Sequence, residues 1–134
     1  MAARVESGRL WEWIETLGRM TDPDRPYTRR SFTALHAEGR AWLRERFTEA
    51  GLSVHLDRAA NLIGRRPGSE PGLPPILIGS HSDSVPDGGR FDGMAGVLSA
   101  LEVAQSLADH GIELRPPLEV VDFLAAHAGT DRAR

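Results

Sequence analysis

The sequence predicts an α/β fold, and the main reason is a strand–helix–strand succession in its second half. The short apolar run Ile76–Ile78 precedes a helical stripe of apolar residues from about 93 to 110, and the β-rich run Leu118–Leu124 follows. Two strands joined through a helix are expected to be parallel, because such crossovers pack back on one sheet. The continuous apolar character of Ile76–Ile78 favours a strand that is buried on both faces.

The first half of the chain adds two helices and a strand pair to this unit. Apolar residues at helical spacing predict one helix that ends near Gly18 and a second over about 33–50. Alternation predicts a strand at Ser53–Leu56, with Asn61–Gly64 as its candidate partner. Prolines and glycines over 67–75 predict a loop. Three tryptophans at helical positions are predicted to be core residues: Trp11, Trp13 and Trp42.

Composition restricts the class of protein. With 134 residues, 40% of them hydrophobic and 26% charged, the chain suits one globular domain. A net charge of -3 gives no electrostatic reason to expect nucleic acid or a membrane surface as partner. The sequence contains no apolar run of membrane-spanning length and no secretory signal, so a cytoplasmic protein is expected. Because cysteine is absent, any metal must be held by His, Asp or Glu.

The stretch GSHSDSVPDGGRFDG, from Gly79 to Gly93, carries the candidate chemistry. Ligands of open α/β sheets bind beyond the carboxyl ends of the strands, and His81 follows the Ile76 strand directly. Asp83 is a candidate to orient the His81 imidazole, and Asp92, just before the next helix, is a candidate metal ligand. Imidazole and carboxylate without thiolate suit Zn²⁺, Mn²⁺ or Co²⁺, and Asp92 could bridge two such ions. The alternative is a polar turn with a solvated histidine.

Other polar residues carry weaker hypotheses. Arg90 lies inside the loop and could contact a substrate carboxylate, or it could be a surface arginine. The lone histidines His36 and His55 are interpreted as structural or solvent-facing. The glycine-rich loop lacks the G-K-[ST] signature, which argues against a phosphate-binding loop.

The string GSHSDSVPDGGRFDGMAGVLSALEV resembles the two-metal aminoacylase/carboxypeptidase-like zinc hydrolases, in the branch of N-carbamoyl-L-amino-acid hydrolases and allantoate amidohydrolases. The upstream segments GRLWEWIETLGRM and DRAANLIGR are also similar. The positions that match the branch pattern are Gly79, Ser80, His81, Asp83, Ser84, Val85, Pro86, Gly88, Gly89, Phe91, Asp92 and Gly93. The resemblance implies a zinc-exopeptidase-like three-layer α/β/α catalytic domain. It also implies a homodimer formed through a smaller second domain.

The resemblance also implies a reaction, the hydrolysis of C–N bonds in N-carbamoyl amino acids or ureido compounds such as allantoate. Two divalent ions, Zn, Mn or Co, would activate water and polarise the carbonyl group. His81 would bind one ion, Asp92 would bridge both, and Asp83 would orient His81. The substrate would be a small molecule, with no nucleic acid or membrane partner.

One departure from the family pattern concerns the two adjacent glutamates that follow the second strand, a general base and a metal ligand. They are expected at about positions 126 and 127, where this sequence has Ala126 and His127. The chain is therefore expected to be the N-terminal portion of a catalytic domain over residues 1–134, from a truncated or frameshifted reading frame. It is expected to be inactive alone and poorly soluble. The alternatives are a non-catalytic remnant or interaction fragment, and a peptidase or deacylase of the same superfamily.

Overall fold

The computed structural model describes residues 4–126, which form three helices and four strands. In chain order these elements are α1 (Ser7–Gly18), α2 (Ala34–Glu49), β1 (Ser53–Leu56), β2 (Leu62–Arg66), β3 (Ile76–Ser80), α3 (Met94–Asp109) and β4 (Leu118–Asp122). Each element that the sequence predicts is present. The bounds of β4 differ from the prediction: the strand ends at Asp122, so the predicted strand was two residues too long.

The four strands form one sheet in the order β1-β2-β4-β3. β2 pairs antiparallel with both β1 and β4, whereas β3 and β4 are parallel, which confirms the predicted crossover through α3. In the parallel pair, Ser80 lies opposite Asp122, and Phe123 N donates to Ser80 O at 2.8 Å. The carboxyl ends of β3 and β4 therefore meet at one edge of the sheet.

The hydrophobic core lies between the sheet and the three helices. Side chains alternate between the two faces of a strand, and the inward ones of β2 and β4 join the helices in one apolar cluster. Fully buried members of this cluster include Leu17, Leu43, Phe47, Leu62, Val97, Leu98, Leu101 and Val120. α2 covers the β1–β2 end of this face and α3 covers the β3–β4 end. Among residues 4–126, none of the three helices combines the length and the apolar character that a membrane-spanning segment requires.

β3 differs from its prediction because it is the edge strand of the described sheet. Ile76 is 44% exposed and Leu77 is 52% exposed, so the prediction of a strand buried on both faces is wrong. The physical reason is that β3 has one neighbouring strand and that the helices cover only one face. The mixed α/β class is confirmed, and residues 4–126 supply two of the three expected layers.

The three tryptophans have different environments. Trp13 and Trp42 pack partly buried against the core, as predicted. Trp11 is 54% exposed, and its ring lies 6.2 Å from that of Phe91. The prediction of Trp11 as a core residue is therefore wrong, because the solvent-facing side of α1 carries it.

Candidate metal centre

The predicted site residues lie on the loop between β3 and α3. His81 follows the last residue of β3 directly, and Asp92 precedes α3 by two residues. The segment around Thr28 holds this loop in place, since Ser84 N donates to Arg29 O at 2.9 Å and Gly88 N donates to Tyr27 O at 2.9 Å. The loop thus has a defined conformation at the carboxyl end of the sheet.

His81 is oriented by main chain. Its Nδ1 lies 2.9 Å from the carbonyl oxygen of Asp83 and 3.3 Å from the Asp83 carboxylate. Since a carbonyl oxygen can only accept, this contact requires hydrogen on Nδ1, and a neutral ring in this contact has its lone pair on Nε2. Nε2 in turn lies 3.8 Å from Oδ1 of Asp92. The ring therefore presents its basic nitrogen on the side of Asp92, as a metal ligand must.

The carboxylate of Asp83 has a different partner from the one expected. Its Oδ2 accepts a hydrogen bond from the Ser31 hydroxyl at 2.8 Å, and the side chain is 1% exposed. Its Oδ1 has no hydrogen-bond partner within residues 4–126. The role of Asp83 as the orienting residue stays a prediction, and in this geometry its main-chain carbonyl makes the shorter contact with His81.

Gly93 is the loop glycine whose conformation is required. Its φ is +70°, and a Cβ placed there would lie 2.2 Å from Cε1 of His81. A side chain is therefore excluded both by the backbone and by the imidazole. Asp87 also has a positive φ, of 54°, whereas Gly88 and Gly89 beside it do not.

The spacing of His81 and Asp92 fits two ligands of one divalent ion. Ligand atoms that each lie about 2.0–2.2 Å from zinc can be at most about 4.4 Å apart, and the observed separation of Nε2 and Oδ1 is 3.8 Å. The Asp92 side chain is 54% exposed, so the site opens to solvent. Within residues 4–126, no three metal-ligating side chains come together. The described residues therefore fit part of a ligand set.

Arg90 is engaged with α1. Its guanidinium forms an ion pair with Glu15 and lies over the ring of Phe91 at 5.6 Å. The predicted contact with a substrate carboxylate stays a prediction.

Ala126 lies exposed in the turn after β4, and His127 lies outside the described residues.

A buried polar cluster behind the loop was missed by sequence reasoning. Asp122 is fully buried, accepts from the Ser82 hydroxyl at 2.9 Å and pairs with Arg40 Nε at 3.2 Å. His36 Nε2 lies 3.4 Å from the same hydroxyl. Arg29, also fully buried, donates from Nε to Ser82 O at 2.8 Å. One signal was available, since an aspartate interrupts the apolar run of β4.

Burial sets the protonation of this cluster. Loss of hydration raises the pKa of Asp122 to about 6, although Arg40 and Ser82 act in the opposite direction. Burial, assisted by the nearby positive charge of Arg40, lowers the pKa of His36 to about 4. His36 is thus a buried neutral histidine at neutral pH, in agreement with its interpretation as structural.

The fold and this edge define the chain as part of an α/β domain with a histidine–carboxylate pair beyond the strand ends. The chain is 42% identical over 120 residues to the N-carbamoyl-L-amino acid amidohydrolase of Geobacillus stearothermophilus, covering 89% of this chain and 29% of that enzyme. It is 35% identical over 120 residues to the ureidoglycolate hydrolase of Oryza sativa subsp. japonica, covering 89% of this chain and 25% of that enzyme. No protein-family model matches.

Comparison with solved structures also finds amidases of the carbamoylase group. A hydantoinase/carbamoylase family amidase from Burkholderia multivorans superposes with a TM-score of 0.86 at 40% identity, over 91% of this chain and 30% of that one. The resemblance to the carbamoylase branch is confirmed, and the chain is homologous to the N-terminal part of these amidases. It spans about 29% of the length of the curated carbamoylase relative.

Proposed function

We propose that this chain forms one part of the metal-binding edge of an amidohydrolase that cleaves C–N bonds of N-carbamoyl amino acids or ureido compounds such as allantoate. The observation that carries the proposal is the His81–Asp92 pair, with Nε2 and Oδ1 at 3.8 Å. Support comes from the resemblance of the surrounding sequence to the carbamoylase pattern and from the similarity of the chain to amidohydrolases. The small-molecule substrate, the homodimer and the cytoplasmic location of the whole enzyme are parts of the same proposal.

Three residues of the loop have distinct roles in this proposal. His81 and Asp92 would hold a divalent ion, and Asp83 would keep the imidazole in the tautomer with hydrogen on Nδ1. When bound, Zn²⁺, Mn²⁺ or Co²⁺ supplies Lewis acidity toward water and toward a carbonyl oxygen. The loop main chain fixes the ring direction, and the exposed Asp92 leaves the site accessible to a small molecule.

The chain alone is proposed to bind metal without turnover. Among the described residues the site has two facing ligands, and Ala126, at the position expected for the base, has no proton-accepting side chain. A non-catalytic interaction fragment is the second candidate, which the same incomplete ligand group favours.

A Co²⁺ titration of the purified chain tests the metal site. We expect visible absorption bands that His81→Ala and Asp92→Asn each abolish, whereas His55→Ala, which removes an exposed histidine on β1, leaves them unchanged. Ammonia release from an N-carbamoyl-L-amino acid and from allantoate is measured in parallel and is expected to be absent. No Co²⁺ binding would favour the interaction fragment, and chelator-sensitive ammonia release would show that the catalytic set is complete.

A further inference from the structure

Ser82 lies in the sequence between His81, a candidate metal ligand, and Asp83, the candidate residue for orienting it. Ser82 points into the protein interior and is 1% exposed, and Asp83 is buried as well. Its position therefore sets where the main chain of both neighbours lies.

Ser82 is held at two points. Its carbonyl oxygen accepts from Nε of Arg29 at 2.8 Å, and its hydroxyl donates to Oδ2 of Asp122 at 2.9 Å. The first contact comes from the segment before α2, and the second from the end of β4. A residue bonded through both main chain and side chain has little freedom to rotate.

Asp122 is itself fixed from two sides. The parallel register places it opposite Ser80, at the end of β3, so its main chain belongs to the sheet. Its carboxylate pairs with Nε of Arg40 on α2 at 3.2 Å, and both side chains are largely buried. Asp122 therefore links the sheet and α2 to the first residues of the loop.

We propose that Asp122, acting through Ser82, is a positioning residue for His81, and that it fixes the direction in which the imidazole faces Asp92. This inference rests on the proposed function, since it assigns a purpose to that direction. The contact that depends on it is the one from His81 Nδ1 to the Asp83 carbonyl at 2.9 Å, because Ser82 sits between the two residues. If Ser82 is released, that carbonyl can turn away and the imidazole loses its fixed tautomer.

The test uses Ser82→Ala and Asp122→Asn, with two matched controls in α3. Ser106 donates its hydroxyl to buried Glu102 at 2.8 Å, and Glu102 pairs with Arg9 at 2.7 Å. Ser106→Ala and Glu102→Gln therefore remove the same chemistry at a place remote from the loop. The probe is the ring ¹H–¹⁵N pattern of His81 in the metal-free chain, assigned with His81→Gln.

We expect Ser82→Ala and Asp122→Asn to shift the His81 ring from the Nδ1-protonated tautomer toward a mixture, while both controls keep the parent pattern. In a Co²⁺ titration, Ser82→Ala is expected to weaken binding about tenfold, the usual effect of removing a group that orients a ligand. If Ser82→Ala and Ser106→Ala lower stability alike and neither changes the His81 ring, Asp122 is merely structural and the inference is overturned.

The two proposals fail separately. A chain that binds no Co²⁺ overturns the proposed function. The tautomer of His81 is measured without metal, so the role of Asp122 can still be decided in that case. Should Asp122→Asn not fold, Ser82→Ala decides alone, because it removes a single hydroxyl group.

Discussion

The imidazole of His36 and the carboxylate of Asp122 meet at one hydroxyl group, that of Ser82, at 3.4 Å and 2.9 Å. Burial moves their pKa values in opposite directions, to about 4 for the histidine and about 6 for the aspartate. Both shifts disfavour the charged form of a buried group. The two residues therefore have opposite effects on how stability depends on pH.

The signs follow from proton uptake. Between its folded pKa of about 4 and its unfolded value of 6.5, His36 binds more protons when unfolded, so its contribution to stability rises with pH. Asp122, raised from 3.8 to about 6, binds more protons when folded over that range, so its contribution falls with pH. In the parent chain the two contributions largely cancel between about pH 4 and pH 6.

Single variants are expected to expose each contribution. His36→Gln should make the free energy of unfolding fall as pH rises from about 4 to about 6, and Asp122→Asn should make it rise. Urea unfolding at several pH values, with the double variant as control, measures both slopes. Equal slopes in the two single variants would contradict the opposed shifts.

Arg29 is expected to make a large contribution to the stability of the segment that packs against the loop between β3 and α3. Its guanidinium donates to the carbonyl oxygens of Ser82, Leu17 and Met20 at 2.7–2.9 Å in a fully buried position. Arg29→Met leaves these acceptors unsatisfied and should cost about 3 kcal/mol or more of unfolding free energy. Arg58→Met, at an exposed turn, should change it by less than about 0.5 kcal/mol. Thermal and urea unfolding compare the two, and similar losses would refute the assignment.

Much of the fold and the place of His81 could be predicted from the sequence, because hydrophobic periodicity and turn residues determine helices, strands and turns locally. Helical spacing identified α1, α2 and α3, and the position of His81 after an apolar strand placed it at the sheet edge. Arg29 gave no local signal, because its partners are carbonyl oxygens contributed by tertiary packing. The prediction that β3 is buried on both faces was wrong, since an apolar run does not reveal how many strands flank it.

Gly93 offers a direct test of the packing between the loop and His81. Gly93→Ala combines a left-handed backbone at φ +70° with a Cβ only 2.2 Å from Cε1 of His81. Gly111→Ala is the matched control, because its φ is +61° and nothing lies within 4 Å of the added Cβ. The control should lose about 1–2 kcal/mol of stability, whereas Gly93→Ala should lose more and also abolish Co²⁺ binding. Equal losses and unchanged binding would show that the imidazole does not need this space.

The exposed edge of β3 is expected to control self-association. Leu77 is 52% exposed on the strand at the end of the sheet, and residues 76–80 carry no charge. Unpaired edge strands without charge invite strand-to-strand pairing between molecules. Leu77→Lys should therefore lower light scattering and raise the soluble yield while leaving the unfolding midpoint nearly unchanged. Leu73→Lys makes the same change in a loop, where the residue is 36% exposed, and should have little effect. If both variants improve solubility equally, net charge and not the β3 edge governs association.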